Sequence, residues 1–217
     1  MGKANIIALV SQKGGSGKTT LTMQLVAGLA LRGFRVCVGD LDAQESASRW
    51  IESADAKAVM ELARLAGDAA QIRRALAPLE RVNDFVVLDC PPSIEHSHTV
   101  AALDVCDLAL IPVVPSPTDL WSTRAIERLI VNRMGERPAL RGALVPNRVT
   151  RTVLAGDVLD VMREFSLPVL GAALSQRNAY AESAVRGGSV YDLGKAAAAA
   201  QGEVDRLVTA VLNQLGR

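Results

Sequence analysis

The sequence predicts an α/β domain, a single unit over residues 1–217 built on a mainly parallel, twisted sheet with helices on both faces. Three observations carry this expectation. Short apolar runs of strand length alternate with longer stretches of helical periodicity. No Pro/Gly/Ser-rich linker or change of composition divides the 217 residues, a length that one such domain absorbs. Apolar residues make up 49% of the chain and aromatics only 3%, so the core must be Ala, Val, Leu and Ile packed between sheet and helices.

In chain order, residues 6–10 read as the first strand and 19–31 as the first helix, with a glycine-rich turn between them. Residues 36–38 read as a strand, 69–79 as a helix, 85–88 and 108–114 as strands and 117–133 as a helix. Strand 140–145, helix 153–165, strand 169–174 and helix 203–215 complete the series. Strands alternating with helices of this length imply right-handed crossovers, with ligands gathered at the carboxyl ends of the strands. The alanine run at 196–200 favours the start of a helix.

Cys37, Cys90 and Cys106 are too widely spaced for a paired metal or redox motif and odd in number, so reduced, buried thiols are expected. The apolar run at the start of the sequence is too short for a signal peptide, and no window reaches the roughly 18 uninterrupted apolar residues of a membrane span. A cytoplasmic, soluble protein is the expectation. The net charge of +1 conceals a local concentration: residues 121–151 hold seven arginines against Glu127 and Glu136, a balance of +5.

The turn after the first strand reads VSQKGGSGKTT. Gly14, Gly15 and Gly17 permit backbone conformations that let successive N–H groups converge on a phosphate, and a helix starting near Lys18 adds its positive end. Lys18 is placed to reach the outer phosphates, and the Thr19 hydroxyl to ligate Mg²⁺. Ser16 and Thr20 complete the cradle. The pattern is that of a P-loop, with Gln12 where its general form has glycine.

KGGSGKTT, with the early Lys13, resembles the deviant Walker A motif of the ParA/MinD family of ATPases. Similarity runs from Ile6 to about Leu212 and is strongest to small ParA proteins of the ParF type, which lack an N-terminal helix-turn-helix. The resemblance implies a weak, Mg²⁺-dependent ATPase that forms a homodimer with ATP. Lys13 would cross to the partner's nucleotide, so that dimerisation depends on the γ-phosphate. In GDLDAQ, Asp42 would orient the attacking water and the metal's water shell, with Asp40 in support; in FVVLDCPPS, Asp89 would serve the metal from a strand end. Asn147, in LVPNRV, would recognise the adenine edge, and the segment from Ser175 to Ser183 would close over the base.

The family further implies non-specific binding to nucleoid DNA, release when a ParB-like or McdB-like adaptor stimulates hydrolysis, and positioning of plasmids, chromosomes or protein assemblies such as carboxysomes. Arginines and lysines that displace phosphate counterions suffice for such binding. Arg124, Arg128, Arg148, Arg151, Arg177, Arg186, Lys195 and Arg206 are the candidates. A MinD-like membrane role is the alternative. Val204, Leu207, Val208, Val211, Leu212 and Leu215 form an apolar stripe, but without the lysine-rich edge of an interfacial anchor, so a core helix is expected and no membrane contact. A metabolic ATP-dependent enzyme on the same scaffold is a further alternative.

Overall fold

The computed structural model describes residues 3–53 and 60–217. Its centre is a six-stranded, wholly parallel sheet of β1 (Asn5–Leu9), β2 (Val36–Asp40), β3 (Glu61–Arg64), β4 (Phe85–Asp89), β5 (Leu108–Val113) and β6 (Arg141–Pro146), in the order β3-β2-β4-β1-β5-β6. Register sets the site. Leu9 pairs with Asp89 and Asp89 with Asp40, so the central strands end level with one another.

Period-two alternation divides the core. Ile7, Leu9, Val36, Val38, Phe85 and Val87 face one apolar cluster, while Ile6, Ala8, Cys37, Val86 and Leu88 face the other. The first cluster is covered by α1 (Lys18–Leu31), α2 (Ser46–Ser53) and α8 (Ala198–Leu215). The second is covered by α3 (Ala69–Val82), α4 (Ser97–Val105), α5 (Pro117–Glu136) and α6 (Val153–Met162). Each face thus seals one side of the sheet, as two-sided parallel sheets require.

The stripe on α8 is part of this core. Val204, Leu207, Val208 and Val211 are wholly buried, and α1 lies close against them because Gly28 has no side chain: a Cβ there would stand 2.6 Å from Val208 Cγ2. The alanine run straddles a junction between a 3-10 helix at Val190–Ala197 and α8, a few residues earlier than the periodicity indicates. The three cysteines are buried and free, with burial pushing the Cys37 and Cys106 thiols up to about 12.

Two differences from the expected order have physical causes. The run 169–174 is not a strand of the sheet: it and the next residue meet β6 and the following loop at isolated bridges, Leu144 with Val169 and Val149 with Ser175, and Leu174 N donates to the Pro146 carbonyl at 3.0 Å without a continuous ladder forming. Its Gly171, Ala172 and Ala173 carry little to hold a pleat, and Pro168 removes a ladder donor at its start. Conversely Glu-Leu-Ala-Arg forms β3, a half-exposed edge strand whose residues have weak strand preference. The helices α2, α4 and α7 (Asn178–Val185) are too short for periodicity to reveal.

The +5 stretch is also not one open face. Arg133 pairs with Asp104, Arg137 donates to the carbonyls of Leu103 (2.5 Å) and Cys106 (3.1 Å) at the end of α4, and Arg141 donates to the Gln214 carbonyl. These three arginines tie neighbouring elements together.

Candidate nucleotide site

The carboxyl ends of β1, β2, β4 and β6 and the start of α1 surround a cleft of about 430 Å³, lined among others by Gly14, Gly15, Gly17, Lys18, Thr19, Thr20, Asp42, Asn147 and Ser175. Gly15 and Gly17 have φ of 79° and 86°, the left-handed region in which a side chain is strained. Gly17 is the residue that opens α1, and a Cβ on it would run into the Asn147 amide. Glycine is therefore required here twice over.

Inside the loop, Ser11 is a hub. Its Oγ donates to the Lys13 carbonyl at 2.8 Å and accepts from Ser16 Oγ at 3.0 Å and from Lys18 Nζ at 3.0 Å. Lys18 is only 7% exposed, and burial lowers its pKa against the raising influence of Asp89 and Asp42. A buried ammonium with a single neutral acceptor is undercompensated, so an anion in the cleft meets a cation already in position.

Thr19 Oγ1 donates to Asp89 Oδ2 at 2.7 Å, and Asp89 is 1% exposed with Oδ1 lacking a hydrogen-bond partner among the described residues. Burial pushes the Asp89 carboxyl up to about 7, opposed by the Thr19 hydrogen bond and by Lys18. A hydroxyl and an orphaned buried carboxylate oxygen beside a phosphate cradle are the hard oxygen donors that Mg²⁺ takes, so the residues fit that ion.

Asp40 and Asp42 differ. Asp42 lines the cleft, while the buried Asp40 turns its carboxylate into its own segment, accepting from Asp42 N (3.1 Å), Ser48 N (2.9 Å) and Ser48 Oγ (2.7 Å). The arrangement suits Asp40 to holding the segment that carries Asp42. Lys13 is exposed and lies outside the cleft, its Nζ donating to the Thr118 carbonyl at the start of α5 at 2.9 Å. Asn147 is buried and donates to the Ser16 carbonyl at 2.7 Å, which uses one amide hydrogen on the loop itself.

The residues named for DNA fall into two groups. Arg124 sits over the Phe165 ring and beside Glu127, Arg177 is held by Glu203 and Arg186 by Glu182. Arg148 donates to the Gly15 carbonyl and to Gln176 Oε1, both at 3.0 Å, so it braces the cleft. Arg128, Arg151, Lys195 and Arg206 are exposed and form no ion pair among the described residues.

Sequence reasoning missed Ser11, Ser48 and above all Glu203. Buried in α8, Glu203 accepts from Ser175 N (3.1 Å), Ser175 Oγ (2.7 Å), Tyr180 Oη (2.8 Å) and Arg177 Nη2 (2.8 Å). Burial alone would raise its pKa; the hydrogen bonds from Arg177, Ser175 and Tyr180 outweigh it and lower it. The available signal was position: Glu203 precedes Leu207 by one helical turn on the apolar face, and a carboxylate there needs partners. Ser175 is thus anchored to Glu203 at the rim of the cleft.

A parallel sheet that ends in a glycine loop, a buried lysine at a helix start and a hydroxyl–carboxylate pair defines a P-loop nucleotide-binding protein. Residues 7–190 match the CobQ/CobB/MinD/ParA nucleotide binding domain, and the chain belongs to that family. It is 33% identical over 211 residues to Maintenance of carboxysome distribution protein A of Halothiobacillus neapolitanus, with 97% of each chain covered. Its fold is similar to McdA of Cyanothece in the apo form (TM-score 0.78, 18% identity, 94% of this chain and 99% of that one). It is likewise similar to an ATP complex of a Cyanothece McdA variant (TM-score 0.75, 17% identity, 100% and 98%). The chain therefore has the nucleotide-binding ATPase fold of the ParA/MinD family.

Proposed function

We propose that the protein is an ATP-dependent positioning ATPase that distributes a cargo over nucleoid DNA, with carboxysomes as that cargo. The observation that carries this reading is the match to the Halothiobacillus protein, 33% identical over 97% of both chains.

The mechanism follows from the site. ATP binds with its phosphates along Gly14–Thr20, drawing on the loop N–H groups and Lys18. Thr19 and Asp89 would hold Mg²⁺, partly through water, and the ion would offset charge on the phosphate oxygens. Asp42, at the cleft wall, orients water toward the γ-phosphate. Among the described cleft residues no strong base supplements it, so the unaided rate is low and an adaptor of the ParB or McdB kind raises it.

Lys13 must exchange the Thr118 carbonyl for a phosphate of a second subunit, which makes the ATP-bound dimer the favoured pairing. Dimerisation doubles the phosphate contacts available to Arg128, Arg151, Lys195 and Arg206, turning weak DNA binding into useful binding. Such a protein would reside in the cytoplasm on the nucleoid. No described helix is long and apolar enough to cross a membrane, and the α8 stripe is occupied by core packing.

Imaging of labelled carboxysomes in cells lacking the protein tests the cargo. Evenly spaced bodies should collapse into clusters, and an unchanged distribution would refute this assignment.

A further inference from the structure

The segment that follows Asp89 is bound at two points to the rest of the site. Near its middle, Ile94 N donates to Gln12 Oε1 at 3.3 Å, the side chain that stands where the general phosphate-loop pattern has glycine. At its far end, on the first turn of α4, His98 Nδ1 lies 2.8 Å from the Leu41 carbonyl. A carbonyl only accepts, so Nδ1 carries the proton in this contact. The His96 ring stands edge-on to His98, with centroids 4.7 Å apart, and His96 Nδ1 accepts from His98 N at 3.2 Å, which fixes the turn that presents the ring.

Leu41 immediately precedes Asp42. Its N–H donates to the Asp89 carbonyl at 2.9 Å, so the Leu41 peptide is held on both backbone groups by the β4–α4 side of the site. Asp42 N is then held by Asp40, and Glu45 N by the Asp42 carbonyl at 2.8 Å. Glu45 has a φ of 52°, one of only two described non-glycine residues in the left-handed region, and Arg64 Nε lies 3.6 Å from its carboxylate. A strained turn of this kind persists only where its neighbours determine it.

We infer that His98 is a positioning residue for hydrolysis, acting through its Nδ1–H bond to the Leu41 carbonyl, which sets where the Asp42 carboxylate stands relative to the phosphate loop. Gln12 completes the brace by fixing the same segment to the loop. The inference rests on the reading of Asp42 as the residue that orients water. Displacement of a catalytic group by about 1 Å costs on the order of a hundredfold in rate while leaving substrate contacts in place.

The test compares the full-length parent, His98→Ala, His98→Asn and Asp42→Ala. Asparagine places an amide N–H close to the position of Nδ1 and restores the bond without the ring. Steady-state ATP turnover with Mg²⁺ gives kcat and KM, melting curves check the fold, and amide hydrogen exchange of residues 41–48 with bound ATP follows the segment directly.

His98→Ala should lower kcat at least tenfold with KM within twofold and speed exchange in 41–48, and His98→Asn should recover most of both. A parent-like His98→Ala overturns the inference. So does a His98→Asn as impaired as the alanine variant, which would assign the effect to ring packing. If Asp42→Ala turns over like the parent, the reading of Asp42 fails separately, and the exchange measurement alone then decides whether His98 holds the segment, unchanged exchange overturning it.

Discussion

Thr19 and Asp89 are 70 residues apart in sequence, yet the threonine hydroxyl donates to the carboxylate at 2.7 Å, joining the start of α1 to the end of β4. The contact is a product of register: β1 and β4 run level, so the loop after Leu9 and the carboxylate of Asp89 emerge side by side. Asp89→Ala should therefore weaken Mg²⁺-dependent ATP binding by about tenfold to a hundredfold, as loss of metal-supporting groups does. Binding of a fluorescent ATP analogue with Mg²⁺ and with EDTA measures it; an equal affinity gain from Mg²⁺ in variant and parent would contradict the assignment.

Asp42→Ala should retain ATP affinity within a few-fold and lose hydrolysis by about a hundredfold, the scale of a positioned acid–base group. Phosphate release under saturating ATP is the measurement. Undiminished release would move the role to another residue.

Lys13→Gln removes a charge that lies outside its own subunit's cleft. ATP binding should remain close to that of the parent, while the ATP-dependent dimer disappears in light scattering. A dimer of normal stability would refute a crossing lysine.

The phosphate loop was legible because its chemistry is local: glycines, lysine and hydroxyl stand within a few residues, and each type is needed for its own reason. The strand order was legible only in outline. Residues 169–174 are as apolar as a strand, and only the tertiary arrangement reveals that they meet β6 at isolated points. Asp40 and Asp42 share a side of an extended segment, but Ser48 on α2 claims the first, a contact that no pattern in GDLDAQ announces. Arg148 was read from charge alone, whereas its 3.0 Å bond to Gly15 O comes from the turn after β6, where its φ is 54°.

Glu203 supplies a prediction from pH. Its pKa is lowered on folding, so its contribution to stability is present above the ordinary glutamate value of about 4.3 and is lost as pH falls through the lower folded value. Glu203→Gln should cost about 2 kcal/mol at pH 7, the scale of a buried, charge-assisted hydrogen-bond cluster. The difference in melting temperature between parent and variant should stay constant from about pH 8 to 5 and narrow below about pH 4. A difference that widens on acidification would contradict the depressed carboxyl.

In the proposed cycle ATP governs attachment to DNA. Its most direct test is binding to non-specific duplex DNA with ATP, with ADP and without nucleotide, across a salt series. Binding should require ATP, weaken steeply with salt and be lost in Lys13→Gln. Binding that is equal in all nucleotide states, or absent from all of them, would contradict it.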